Sequence, residues 1–335
     1  MSSNTTGNKN TAIGYKALDD NTTGDFNVAV GISALQSNTT ADGNSAFGRE
    51  ALFSNTTGAN NVAVGNGALY TNTTADNNTA VGSNALLLNT TGTQNVAVGH
   101  DALEASTTAN NNTAIGFEAM KANTTGSFNT ASGLVSLASN TTGSENTAYG
   151  YRSLTSNTTA SNNTAVGAGC LDLCTTGTSN TAVGANALDA NTTGNYNTAV
   201  GEKALFSNTT GNSSVAVGAF TLRDATTGGN NVAIGVNAMK ATTTGEQCVS
   251  IGEQSMESNT TGNFNTAVGR SALQANTTAS GNTAVGYFAM DTTTTGELNT
   301  SVGRSAMQGA TTGDRNVAVG AYALDAALTA HDNVA

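Results

Sequence analysis

Residues Asn78–Gln94 read NTAVGSNALLLNTTGTQ; the line before, from Asn61, begins NVAVGNGAL, and the line after, from Asn95, begins NVAVGHDAL. Working outward in both directions, the same line recurs every 17 residues from Asn10 to Asn333, with Ser214 and Cys248 standing in for the leading Asn. Complete units fill residues 10–332 without an insertion, a partial unit covers 1–9, and 333–335 open another. Numbering each unit from its Asn gives columns 1 to 17. Column 3 is Ala except at Ser250 and Ser301, column 4 is mostly Val or Ile, column 5 is Gly in every complete unit, column 9 is Leu or Met, and columns 12–15 read N-T-T-G or close to it.

A self-similar period overrides the two domains that 335 residues would otherwise suggest, so 1–335 reads as a single repeat domain. Seventeen residues are too few for the helix pairs of α-solenoids. T-A-V-G and x-A-L are short extended pieces, punctuated by Gly and by an Asn/Thr/Gly turn where the chain must reverse. The predicted fold class is therefore all-β, a parallel β-solenoid (β-roll) of 17-residue coils with about nineteen rungs. One coil cannot offset the backbone entropy of its own residues, about 1–2 kcal/mol each. Stacked coils complete one another's strand hydrogen bonds, and stability becomes a sum over neighbouring interfaces. An inserted residue would shift every later column.

Composition agrees with a thin core: 37% hydrophobic, 10% charged, 39 Gly, no Pro and no Trp. A net charge of −11, with only 11 Lys and Arg spread along the chain, argues against nucleic acid as a partner. Cys170, Cys174 and Cys248 form no disulfide framework. MSSNTTGNK has no apolar leader region, and no apolar run approaches the length of a membrane span. Because the chain starts and stops inside a unit, we read it as a segment of a longer protein.

Charge is confined to columns 6, 7, 10, 11, 16 and 17; the other eleven columns carry none. Strand side chains alternate. With Val at column 4 pointing in, Ala at column 3 points out, and an outward column held to Ala or Ser marks a surface packed against another subunit. A flattened roll with both columns internal, or plain copying of an ancestral repeat, are the alternatives.

The unit NTAVGxxALxxNTTGxx resembles the head repeats of trimeric autotransporter adhesins of the Yersinia-adhesin type, and more closely the T-A-V-G repeats of phage tail fibres and microbial surface fibre proteins. The resemblance spans practically the whole chain. It implies a left-handed roll, three copies side by side as a homotrimer, and a stiff extracellular stalk or head on a virion or bacterial cell surface. This chain differs in its longer unit and its N-T-T-G turn.

Little in the sequence points to chemistry. His100 and His331 have no Ser or Cys partner nearby in sequence, Cys170 and Cys174 lack a second pair for a metal, and Asp19, Asp20 and Asp25 lack the spacing of calcium-binding rolls. No phosphate cradle motif occurs. Catalytic, cofactor and metal residues are thus read as none, and ligand-binding residues as unknown. Asn-Thr-Thr, beginning at Asn4, Asn21 and Asn38, is formally a glycosylation acceptor; stacked Asn and Thr ladders are the favoured reading. Tyr15, Phe26, Phe53, Tyr70, Phe117, Phe128, Tyr196 and Phe264 occupy variable columns, as surface aromatics or sugar-stacking platforms, while Phe47 and Tyr149 fall in the Val column. The most aberrant unit is 129–145, with Ser132, Leu134, Val135 and Ser136.

The sequence therefore predicts a non-enzymatic structural or adhesive fibre segment, a homotrimer, possible end-to-end stacking, and a host-surface glycan or receptor as ligand. An ice-binding solenoid using Thr ladders is the alternative, disfavoured because adjacent Thr residues give one outward rank. A glycan-cleaving tailspike-like enzyme is the third.

Overall fold

The computed structural model describes residues 1–326 and 329–335 and contains two compact units, Met1–Asn163 and Thr164–Ala335. Each is a parallel β-solenoid of 17-residue coils. Every strand has three residues and occupies columns 2–4. They run from β1 (Thr11–Ile13) at 17-residue steps to β9 (Thr147–Tyr149) in the first unit, and from β10 (Thr164–Val166) to β19 (Val317–Val319) in the second. Partners share a column, as in Thr11↔Val28, Ala12↔Ala29 and Ile13↔Val30, or Thr198↔Val215, Ala199↔Ala216 and Val200↔Val217.

Outside the strands the backbone is laddered just as regularly. Leu18 N–H donates to Ala34 O (3.0 Å), Thr22 to Thr39 O (2.9 Å), Ser33 to Tyr15 O (2.8 Å) and Phe26 to Asn8 O (3.1 Å). Turns therefore satisfy their polar groups on the neighbouring coil, which lets so thin a body bury its backbone.

The alternation expected within the strand is reversed. Ala at column 3 is fully buried, as at Ala29, Ala46 and Ala199, whereas column 4 faces solvent, with Ile13 60% and Val166 38% exposed. The reason is the width of the coil. At the two coils where column 3 is Ser, the hydroxyl reaches the column 8 carbonyl on the opposite wall: Ser250 Oγ donates to Ser255 O at 2.9 Å, and Ser301 Oγ to Ala306 O. The gap between walls accepts about one methyl group, so Val must point outward. Columns 1, 3, 8, 9, 12 and 15 form the core, as Asn27, Ala29, Ala34, Leu35, Asn38 and Ala41 illustrate.

Bending 17 residues into so tight a loop requires left-handed backbone at columns 7, 9 and 17, for example Lys16 (φ 54°), Leu18 (φ 51°) and Phe26 (φ 58°). The buried Leu of column 9 offsets its strain by full burial. Column 5 has φ near 131–140° in its first coils, and a Cβ on Gly14 or Gly31 would collide with the carbonyl of the Gly one coil on. Only Gly can stand there.

In the aberrant unit, Ser132 lies on the outer face and not in the core, Ser136 is buried with its hydroxyl donated to Gly133 O, and Leu134 is 46% exposed. Val135 is the notable residue: a β-branched side chain at φ 49° in column 7. Left-handed backbone disfavours non-Gly residues by roughly 1–2 kcal/mol, less for Asn. Val135→Asn should therefore stabilise the protein by about 1 kcal/mol, read as a higher midpoint in thermal or urea unfolding. An unchanged or lower midpoint would count against the strain.

Candidate functional site

Two kinds of surface remain once the core is assigned: polar ladders, and an outer sheet face. The ladders begin inside. Asn at column 1 closes its own coil, Asn27 Nδ2 donating to Ala41 O (2.8 Å), while its Oδ1 accepts the next coil's N–H, Asn44 N to Asn27 Oδ1 at 2.9 Å. Asn at column 12 caps the turn, Asn38 Nδ2 donating both to Ala41 O (3.1 Å) and to Asn21 Oδ1 (2.8 Å). These are the Asn residues of Asn-Thr-Thr. Asn21, Asn38 and Asn55 are wholly buried with their amides engaged, so in the folded chain they are structural and offer no accessible glycosylation nitrogen.

Thr at column 13 also turns to the ladder, Thr22 Oγ1 donating to Thr39 O (2.9 Å), and leaves column 14, exposed at Thr23, Thr40 and Thr57, as a single Thr rank. Column 16 often supplies an acceptor for the N–H one coil earlier, though Ala59 and Gly229 cannot: Asp42 Oδ1 serves Asp25 (2.7 Å), Ser144 Oγ serves Ser127 (3.1 Å), and His331 Nδ1 serves Asp314 (3.0 Å).

The sought-after chemical groups are absorbed into this scheme. His100 stacks on Phe117 (5.5 Å between centroids) and lies 3.2 Å from Asp101. Lys121 gathers Asp101 (2.9 Å), Glu118 (2.8 Å) and Glu104 (3.6 Å). Burial opposes the charge on Asp101, yet hydrogen bonds from Lys121 and Asn84 hold its carboxyl below the usual range; bonding to Glu118 and Asp101 raises the pKa of Lys121. This densest titratable cluster is an ion-pair network closed on a lysine, not a pair of free carboxylates across a groove. Asp19 accepts hydrogen bonds from Ser2, and Asp25 from Asn8, so the two turn to different neighbours.

The cysteines mimic what they replace. Cys174, in the column 12 position, donates to Gly177 O (3.3 Å), and Cys248, in the column 1 position, to Gly262 O (3.4 Å); Cys170 bonds Gly184 O. Burial pushes the Cys174 thiol up to about 11, and Cys170 and Cys248 in the same direction. Among the described residues no group of three or more His, Cys, Asp or Glu is placed to hold a metal ion, and no helix is long and apolar enough to cross a membrane.

The outer face of the sheet is the second surface, and sequence reasoning missed it by inverting the strand. Columns 2 and 4 both point outward. In the second unit every one of these positions, from Thr164 and Val166 to Val317 and Val319, is Thr, Val or Ile. In the first unit Ser45, Phe47, Ser132 and Tyr149 interrupt the pattern, again without charge. The predicted aromatics lie on the other, variable columns, with Tyr15, Phe26, Phe128, Tyr196 and Phe264 more than half exposed and Phe117 nearly so.

Where column 12 departs from Asn, the ladder breaks and the preceding carbonyl loses its donor: Asn89 Oδ1 before Ser106, Asn157 Oδ1 before Cys174, Asn208 Oδ1 before Ala225 and Asn276 Oδ1 before Thr293 are buried and unpartnered. A buried polar atom without a partner costs about 1–3 kcal/mol. Ala225→Asn supplies an Nδ2 to Asn208 Oδ1 and places a new Oδ1 before the Thr242 hydroxyl. It should raise the unfolding midpoint by the equivalent of about 1 kcal/mol, and a loss of stability would show that the ladder is not limiting there.

In comparisons with known proteins, no family model matches the chain and no curated protein matches it.

Proposed function

We propose that this chain is a non-enzymatic fibre segment, a stiff solenoid of an extracellular appendage such as a phage tail fibre or bacterial adhesin, whose copies pack side by side through the outer face of the sheet. The observation that carries the reading is the uninterrupted two-rank run of Thr, Val and Ile in columns 2 and 4 of the second unit. A charge-free stripe of β-branched side chains repeated over every coil of the second unit exceeds what a solitary soluble surface needs, and such patches mark interfaces. Parallel packing of like faces accounts for the absence of Lys and Glu from positions that would otherwise tolerate them. The homotrimer comes from the resemblance to adhesin heads; the face itself favours self-association of some closed order.

Sedimentation equilibrium and mass photometry test this. The chain should be a trimer at micromolar concentration, and Val200→Glu combined with Val217→Glu should give a monomer with unchanged far-ultraviolet circular dichroism, because both side chains lie outside the core. An uncompensated buried charge costs about 3–5 kcal/mol, enough to weaken association more than a hundredfold. A monomeric parent chain would overturn the packing.

One observation favours a second reading. The same face supplies the two outward ranks, T-x-V, that the adjacent Thr residues of columns 13 and 14 do not, and a flat regular face of β-branched side chains suits ordered water as well as a protein. Thermal hysteresis and ice-crystal shaping by the parent chain would support ice binding; their absence would remove it.

A further inference from the structure

We propose that a notch at Gly67, in the first unit, is a subsite for one residue of a neutral glycan. This deepens the adhesive part of the fibre reading and rests on it for biological sense, though not for its geometry.

Column 7 carries a side chain in nearly every coil, including Ser33, Glu50, Asn84 and Asp101 on either side. Gly67 carries none, and takes the column's left-handed backbone at φ 65°. Removing one side chain from an otherwise continuous surface leaves a recess of about 400 Å³, within the range of small-molecule sites. Tyr70 and Leu87 give it an apolar wall, and Arg49, Glu50 and Asn84 a polar rim. Tyr70 is fixed in place by its neighbour one coil earlier, Phe53, with ring centroids 5.1 Å apart and planes 6° from parallel. Asn84 donates its Nδ2 to Asp101 (3.2 Å), and its Oδ1 lies 3.2 Å from where a Cβ of residue 67 would stand, at the floor of the notch.

These groups match the two-sided chemistry of a pyranose, which presents an apolar C–H face to a ring and hydroxyls to amides and ions. The neutral class follows from charge. Arg49 Nη2 is 3.1 Å from Glu50 Oε1, so the rim has no net charge, and a chain of net −11 repels carboxylated or phosphorylated sugars. An extended peptide is the poorer fit because the backbone here is already spent: Gly67 N–H donates to Arg49 O, Leu69 to Ala85 O and Thr71 to Leu87 O. No strand edge is left for it to pair with.

Saturation-transfer difference NMR on the full chain, with cello-, malto-, chito-, galacto- and manno-oligosaccharides as probes, tests the assignment. At least one series should receive transfer, strongest on ring C–H protons. Gly67→Gln should fill the notch and weaken binding tenfold or more while the chain stays folded with a modestly lower unfolding midpoint, since Gln254 holds column 7 at φ 57° elsewhere in this chain. Tyr70→Ala should weaken it comparably. No transfer to any series, equal transfer to Gly67→Gln, or binding only of acidic sugars or peptides would overturn the proposal. A trimer that binds none of the probes sinks the notch and spares the fibre; a monomer whose binding is lost in Gly67→Gln does the reverse.

Discussion

The separation between the two walls of each coil is the constraint on which the rest depends. It admits a methyl group at column 3 and little more, as the hydroxyls of Ser250 and Ser301 show by touching the opposite carbonyl. That width forces Ala inward, turns the larger Val of column 4 outward, and leaves the Leu or Met of column 9 as the one bulky core side chain per coil. A core this thin can persist only as a stack, because each coil's polar groups are completed by the coil before and the coil after.

Burying Asn at two columns in every coil would be costly in an ordinary core. Here both amides repeat at the rung spacing, so wherever the column keeps its Asn a donor on one coil meets an acceptor on the coil before, and the same side chains also fasten the turn and close the loop. Replacement keeps the turn carbonyl satisfied where another donor reaches it, as with Cys174 and Cys248, though Cys174 leaves the Oδ1 of Asn157 on the preceding coil without a partner. Ser106, Ala225 and Thr293 orphan the corresponding oxygen in the same way. Backbone strain is handled similarly: left-handed residues recur three times per coil, and the regularity of the stack holds them there.

Function follows from what the stack leaves on its outside. Columns 1 and 12, which ladder through buried Asn, are nearly fixed, the variable columns carry all the charge and most of the aromatic rings, and the outer sheet face stays free of charge throughout and is held to Thr, Val and Ile in the second unit. The side-by-side packing proposed above rests on this restriction of the sheet face. Departures from the repeat, such as Gly67, then stand out as places where one coil differs from its neighbours.

The period, the absence of insertions, the N-T-T-G turn and the parallel in-register stacking were legible in the sequence, because each depends on column identity alone; x-A-L, expected to be extended, is instead a turn with left-handed backbone at columns 7 and 9. The Asn ladders were legible for the same reason: residues 17 apart must meet. What the sequence could not decide was the side of the sheet on which Ala and Val fall, since alternation fixes only that they differ. Tertiary structure settled it through the distance to the opposite wall, a quantity set by the left-handed residues at columns 7, 9 and 17, most of which are not Gly and carry no sequence signal of their conformation. The notch at Gly67 was hidden likewise, because its rim is assembled from three successive coils.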